Sequence, residues 1–439
     1  MAKLNIRNRN KDKFDKEGKA KAANWEYRFE AAKIDGKRKS ISKAGFKTKK
    51  EAEIAGTKAM AEYNNAGLKF EPSEMSYSDF LDYWFDNYVK MSCKYNTQLA
   101  YTQIIENHLK PVLGMYKLRA LTPLMIQDYV NKKFVTGLKK TTLTNIMAVL
   151  SGSLKYAVVP AQLLQSSPAE YVKYPKIQSE RSEVNRTVIS VEDFNKMLER
   201  FEKGNPFRYA LLIGFHTGLR IGEVYALTWE DIDFKEKTLD VNKLAYKRNY
   251  GVDIRQVMKQ KGKKEEKSAW YFGDTKTASS VRKIKIGDTL LNELKEYRKM
   301  QLENQMQYGE YYTFIYKKEE KDEKGNTIHR LIEVENSVPV ALPVANLIMR
   351  KENGQYSSTD SFKYAARVIH YDLGIKFNFH SLRHTHATML IESGVSPKAV
   401  QARLGHENIE TTLQTYVHNT EEMEQGAVDV FENIVNKAN

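Results

Sequence analysis

The chain has 439 residues, 41% hydrophobic and 28% charged, which suits about two to four globular domains and excludes a disordered or fibrous protein. A single cysteine excludes a disulfide framework within the chain, no apolar run reaches the length of a membrane span, and the N-terminus lacks an apolar signal core, so the expected location is the cytoplasm with no membrane partner. The net charge of +15 is uneven: residues 1–67 hold 18 Lys and Arg against 9 Asp and Glu, the footprint of a phosphate-binding surface or, more plainly, of a solubilising basic tail.

Residues 1–22 are polar, basic and aperiodic and predict a disordered arm. Trp25, Tyr27 and Phe29 then alternate with Glu26, Arg28 and Glu30, which is strand periodicity. Asp35-Gly36 predicts a hairpin turn, and the next strand carries Lys37, Arg38, Lys39 and Lys43. Thr48 and Glu51 fit a capping box that opens a helix running to about Gly67. A basic ribbon on such a sheet fits a DNA groove; the alternative is a structural subdomain with a solvated basic face.

From Tyr77 to about Tyr174 the pattern is helical, with Phe80, Tyr83, Trp84 and Tyr88 at three- and four-residue steps. A second helix is predicted over about 96–109, ending before Pro111; Thr122-Pro123 opens a third, Thr141 a fourth, and Pro168 closes the block. Lys132, Lys133, Lys139 and Lys140 fall at helix ends or connections, where backbone phosphates would be met or water would solvate them. Residues 176–187 are polar and predict a linker. A last domain follows from about 188, with Ser190 as a helix N-cap, a strand-rich stretch over about 231–286 and helices from about 360. The lysine-rich pieces KQKGKKEEK and KKEEKDEKGN predict long hairpin loops.

The stretch FNFHSLRHTHATML concentrates His380, Arg383, His384 and His386. His380 and His384 share a helix face, as a metal pair would. The zincin pattern, however, places a Glu directly after the first His, where this chain has Ser381. Arg383 lies one turn from His380, so an anion site is the second reading.

Three further stretches bear on the choice: HTGLRIGEV with Arg220, DTKTASSVRKIKI with Lys276, and LGHENIETTLQTYVH with His406 and Tyr416. If the four converge, two arginines supply permanent charge for phosphate oxygens and two histidines exchange or donate protons near neutral pH. A lysine protonates a leaving alkoxide, and a tyrosine serves as nucleophile. The guanidiniums take over charge stabilisation of the transition state, so the set needs no metal and no cofactor.

Arg220, Lys276, His380-Ser-Leu-Arg383, Leu404-Gly-His406 and Tyr416, in that order and without departure, closely resemble the tyrosine recombinase or phage integrase family. The whole chain resembles integrases of Gram-positive phages and conjugative transposons. The resemblance implies an α+β multidomain fold: a small three-stranded sheet plus helix at 1–67 that binds arm-site DNA, an all-helical core-binding domain at 75–175, a linker at 176–187, a mainly α catalytic domain with a small β-sheet at 188–420, and a tail helix at 421–439.

It implies that Tyr416 forms a 3′-phosphotyrosyl link, that Arg220 and Arg383 hold the phosphate, that Lys276 protonates the 5′ oxygen, that His380 takes the tyrosine proton and that His406 bonds the phosphate. Glu223 is implied to play a supporting structural part. The helix phases of His384 and His386, and the places of His216 and His418 beside catalytic residues, point to support or packing for these four. It implies double-stranded DNA with core and arm sites as partner, a homotetramer on DNA, and an excisionase or a host DNA-bending protein as further partners in a bacterial cell. Val428, Phe431 and Val435 suit either a helix closing its own domain or one docking on a neighbouring protomer.

The rival readings are a Xer-like resolvase, which lacks the basic N-terminal sheet, a type IB topoisomerase, a DNA-binding protein without catalysis, and a metal hydrolase.

Overall fold

The computed structural model describes residues 4–11, 13, 18–19, 21–34, 37–64, 74–173, 187–251, 253–260, 267–274 and 278–408. Strands β1 Asn5–Asn8, β2 Trp25–Ile34 and β3 Lys37–Phe46 form an antiparallel sheet in the order β1-β2-β3. The Asp35-Gly36 turn lies outside the described residues, but Ile34 pairs with Lys37 on either side of it. Helix α1, Lys49–Asn64, is opened by the capping box: Thr48 Oγ1 accepts from Glu51 N at 3.2 Å and Glu51 Oε2 accepts from Thr48 N at 3.4 Å. A methyl group on Gly56 of α1 would stand 2.7 Å from Tyr27 Cβ, so the glycine lets the helix lie directly on β2.

Two expectations need correction here. Residues 5–8, placed in a disordered arm, form β1; its one apolar residue, Ile6, gives no periodicity, and the strand exists through pairing with β2. Tyr27 and Phe29 are buried as the alternation predicts, but so is Glu26. Its carboxylate accepts from Arg7 Nε at 2.8 Å across the β1–β2 pair.

Helix α2, Tyr77–Trp84, runs through a π-helical turn at Phe85–Val89 into α3, Lys90–Ser92. Helix α4, Tyr95–Ile104, continues through a second π turn, Ile105–Leu109, into α5, Lys110–Leu113. The helix therefore does not end before Pro111: the proline sits at the start of α5, and the wider turn just before it accommodates the missing N–H. Helix α6, Pro123–Val135, has Thr122 as N-cap, and α7, Lys140–Val158, closes the set. Tyr77, Phe80, Trp84, Ile126 and Leu150 fill the core between them. The 176–187 linker lies outside the described residues apart from its last position.

The chain divides into two compact units, one of residues 1–89 and 100–176, the other of 90–99 and 177–439. In the second, α8 Val191–Arg200 starts at the Ser190 N-cap, and α9 Pro206–Thr217 is buried along most of its length. After α10, Ile221–Val224, come β4 Ile232–Asp233, β5 Thr238–Val241, β6 Lys243–Asn249, α11 Ile254–Gln260, β7 Ser268–Asp274, β8 Arg282–Lys285 and α12 Asp288–Tyr308. Strands β9 Thr313–Lys321 and β10 Thr327–Glu335 precede α13 Thr359–Asp372, α14 Phe379–Glu392 and α15 Pro397–Leu404.

Among the described residues of this unit there are two sheets rather than one: β4-β5-β8, and β6-β7-β10-β9. The segment KKEEKDEKGN, expected as a long hairpin loop, does join an antiparallel hairpin, β9 with β10, but the loop is short: the strand runs to Lys321, and a tight turn follows in which Asp322 Oδ1 accepts from the backbone N–H groups of Lys324 and Asn326. Its charged residues lie at the end of a sheet-edge strand, where solvent covers them and no alternation shows.

A candidate phosphate-binding active site

Helix α9 ends at Gly218, whose φ of +67° is the left-handed conformation that favours glycine. A methyl group there would stand 2.6 Å from Leu404 Cδ2 and 2.9 Å from His386 Cδ2, so space and conformation both require glycine. The turn puts Arg220 at the N-cap of α10 with extended backbone. Glu223, three residues on, is buried and accepts from Arg220 N and from Arg220 Nη1, each at 2.9 Å. Arg282 of β8 donates from Nη2 to the same carboxylate at 3.0 Å. Burial would push the Glu223 carboxyl up, but the charge and hydrogen bond of Arg282, with the Arg220 backbone N–H, hold it below the ordinary range.

Helix α14 is set against α9 at Gly214, where a methyl group would meet Leu382 Cδ1 and Phe379 Cζ at 2.8 Å. Asn378 caps α14 by accepting from Ser381 N at 3.1 Å. His380 is exposed in the first turn, while Arg383 is fully buried. Arg383 donates from Nη1 to Gly218 O and from Nη2 to Leu404 O, both at 2.9 Å. Its guanidinium thus meets the negative ends of two helices, α9 and α15, and joins the two chain segments that carry Arg220 and His406.

Helix α15 ends at Gly405, φ +69°, where a methyl group would stand 2.9 Å from Ser279 O. His406 follows at once. Its pKa is pushed down to about 4 by partial burial and then by the charges of Arg383, Arg220, His380 and Arg282. The pKa of His380 is lowered by partial desolvation, then by the charges of Arg383 and Arg220. The same two arginines therefore act on both histidines, and Arg220, His380, Arg383 and His406 lie within one electrostatic neighbourhood. Both histidines are held in the neutral form, able to take or to donate a proton.

Lys276 and Tyr416 lie outside the described residues, as do His418 and the 421–439 tail. Of Lys37, Arg38 and Lys39 only the backbone, in β3, is described; Lys43 is exposed opposite Tyr27. Lys139 and Lys140 are exposed at the start of α7. The His384 ring stacks edge-on against His380 with centroids 4.5 Å apart. Among the described residues, no group of three or more His, Cys, Asp or Glu side chains is arranged to hold a metal ion. Among the same residues no helix is long and apolar enough to cross a membrane.

Sequence reasoning missed two arginines. Arg282 shares the inward face of β8 with Ile284, an alternation visible in VRKIK that marks it as a buried cation. Arg403 donates to His386 Nε2, Lys285 O and His216 O at 2.9, 3.0 and 3.1 Å, and nothing in its local sequence signals this.

Residues 187–423 match the model of the phage integrase family, residues 76–134 that of the phage integrase N-terminal SAM-like domain, and residues 13–62 that of an arm DNA-binding domain. The chain is 28% identical over 394 residues to a tyrosine recombinase XerC-like protein of Caldanaerobacter subterraneus subsp. tengcongensis, covering 88% of this chain and 90% of that protein. It is 24% identical to the ICEBs1 integrase of Bacillus subtilis, covering 74% and 76% of the two. Among solved structures, the Tn1549 transposon integrase in complex with transposon right end DNA has the same fold, with a TM-score of 0.59 at 20% identity over 82% of this chain and 100% of that one. A lambda integrase tetramer bound to a Holliday junction gives 0.50 at 16% identity over 90% and 94%.

Proposed function

The chain belongs to the phage integrase family and is a tyrosine site-specific recombinase, and from that premise we propose a division of labour among its residues. Tyr416 attacks the scissile phosphate of double-stranded DNA, its phenolic oxygen bonds to phosphorus, and the 5′ oxygen leaves with a proton from Lys276. The product is a 3′-phosphotyrosyl link and a free 5′-hydroxyl. Attack by a freed 5′-hydroxyl on that link reverses the chemistry and rejoins strands with no nucleotide cofactor.

The observation that carries this reading is the pair of bonds from Arg383 to Gly218 O and Leu404 O, which draws together the segments of Arg220, His380 and His406, with the charges of both arginines lowering the pKa of both histidines. An unperturbed tyrosine has a pKa of about 10 and needs nearby cations or a base to attack at neutral pH. Arg220 and Arg383 stabilise the phosphate oxygens and the developing phenolate; neutral His380 takes the tyrosine proton. Neutral His406 donates to a phosphate oxygen. The charge that the transition state needs comes from guanidiniums, so the chemistry runs without a metal.

The domain limits follow the same reading: an arm-site domain at 1–67, a core-binding domain at 75–175, a linker at 176–187, a catalytic domain at 188–420 and a tail at 421–439. The enzyme acts as a homotetramer on core and arm sites to integrate and excise a mobile element, in the cytoplasm of a bacterial host and on its nucleoid. An excisionase or a host DNA-bending protein sets direction. Lys37, Arg38, Lys39, Lys43, Lys139 and Lys140 contact phosphates.

The test is covalent trapping in EDTA on nicked duplexes from the DNA flanking its own gene. An SDS-resistant adduct present in the wild type and absent in Tyr416→Phe is expected. An adduct that persists in Tyr416→Phe, or cutting that EDTA abolishes, overturns the reading.

A further inference from the structure

Glu223 places one negative charge between two guanidiniums that differ in what they reach. The Arg220 side chain keeps 34% of its surface exposed, against 6% for Arg282 and 3% for Glu223. Arg282 is held on three sides: besides Glu223 it donates from Nε to Arg403 O and from Nη1 to Ser280 O, both at 2.8 Å. A buried carboxylate whose one counter-charge was Arg220 would draw that guanidinium inward and cancel its charge. With Arg282 beside it the trio carries one net positive charge, and the member that meets solvent is Arg220.

We propose that Arg282 is a positioning residue: it supplies the counter-charge of Glu223 and so leaves Arg220 outward and cationic for the scissile phosphate. The proposal rests on the reading of Arg220 as a phosphate ligand. Arg282 is also anchored to a neighbouring part of the fold. Its bond to Arg403 O, and Gly405 packed against Ser279 and Arg282, tie the same trio to the corner that carries His406.

The full-length chain is compared with Arg282→Met, Arg282→Lys and the double variant Arg282→Met with Glu223→Gln, on nicked duplexes that the wild type cleaves, with thermal unfolding measured alongside. Arg282→Met is expected to slow cleavage by about 30-fold or more, the scale of leaving a buried charge short of its partner. The double variant, which removes the unbalanced carboxylate, is expected to recover about tenfold, and Arg282→Lys to stay within about fivefold of wild type, because charge is what the site needs.

A methylphosphonate at the scissile position, which is neutral, is expected to narrow the gap between wild type and Arg282→Met. A double variant no faster than Arg282→Met, an Arg282→Lys as slow as Arg282→Met with unfolding unchanged, or a gap that the methylphosphonate leaves intact would each overturn the proposal. Should Arg282→Met fail to fold, Arg282→Lys and the double variant are read against the wild type, and either one slowed by about 30-fold or more with unfolding unchanged overturns the proposal. Failure of the Tyr416 reading is seen separately, as a wild-type adduct that survives Tyr416→Phe.

Discussion

Arg403 donates from Nε to Nε2 of His386 at 2.9 Å, which leaves Nδ1 of His386 to donate to Phe215 O, also at 2.9 Å. The ring is therefore the neutral Nδ1–H tautomer. Burial, then the charge of Arg403, push its pKa down to about 4. The cluster histidine that shares no face with His380 is thus a joint between α14, α9 and α15.

A pH dependence of stability follows. The unfolded imidazole takes a proton near pH 6.5 while folded His386 stays neutral to about 4, so stability is intact above 6.5 and falls as pH drops through that window. His406, also near 4, adds to the same fall. In thermal unfolding of the full chain, the melting temperature should drop from pH 7 to pH 4.5, and His386→Gln, whose amide oxygen can accept from Arg403, should make the drop shallower. An equally steep drop in the variant would mean that His386 is charged in the fold.

Gly218→Ala should destabilise the catalytic unit by about 2–4 kcal/mol, combining a left-handed φ with overpacking against Leu404 and His386. Chemical denaturation followed by the fluorescence of buried Trp229 reports on that unit. A change below about 0.5 kcal/mol, the range of an ordinary surface substitution, would mean that the turn relaxes freely and does not fix Arg220.

What was legible in the sequence was local. Thr48 with Glu51, Thr122-Pro123 and Ser190 announce helix starts because a cap is a contact within four residues, and the structure has all three. The order of Arg220, His380, Arg383 and His406 was legible as words, and the structure brings them together. Long-range pairing was not legible. β6, β7, β10 and β9 come from segments up to about ninety residues apart, and no local pattern specifies that order. The Arg282–Glu223 pair spans 59 residues and looks, in sequence, like one more basic residue on a strand.

The charges around His380 give a prediction with a definite sign. Arg383 and Arg220 both disfavour its protonation, so removing one should make protonation easier. Arg220→Gln should therefore raise the pKa of His380, measured by NMR titration with His380→Asn to assign the signal. With His380 as the proposed base, the acid limb of the wild-type cleavage rate should lie below pH 6.5, because its lowered pKa keeps it neutral there. A pKa unmoved by Arg220→Gln would place the two groups out of electrostatic contact.

Lys139 and Lys140 separate solvated charge from DNA contact by the sign of two effects. Lys139 is the N-cap of α7 without a side-chain cap bond, and the first turn holds no acidic residue. Cations there oppose the helix dipole by about 0.3–1 kcal/mol each, so replacing both with Gln should leave the fold as stable or slightly more so. If both meet phosphates, the same double variant should flatten the plot of log binding constant against log salt by about 1.8, at about 0.9 for each phosphate no longer neutralised. Weaker DNA binding with a flatter salt dependence and an undiminished melting temperature would assign the pair to the DNA interface. An unchanged slope would assign them to solvent, and the open N-terminus of α7 would then need another explanation.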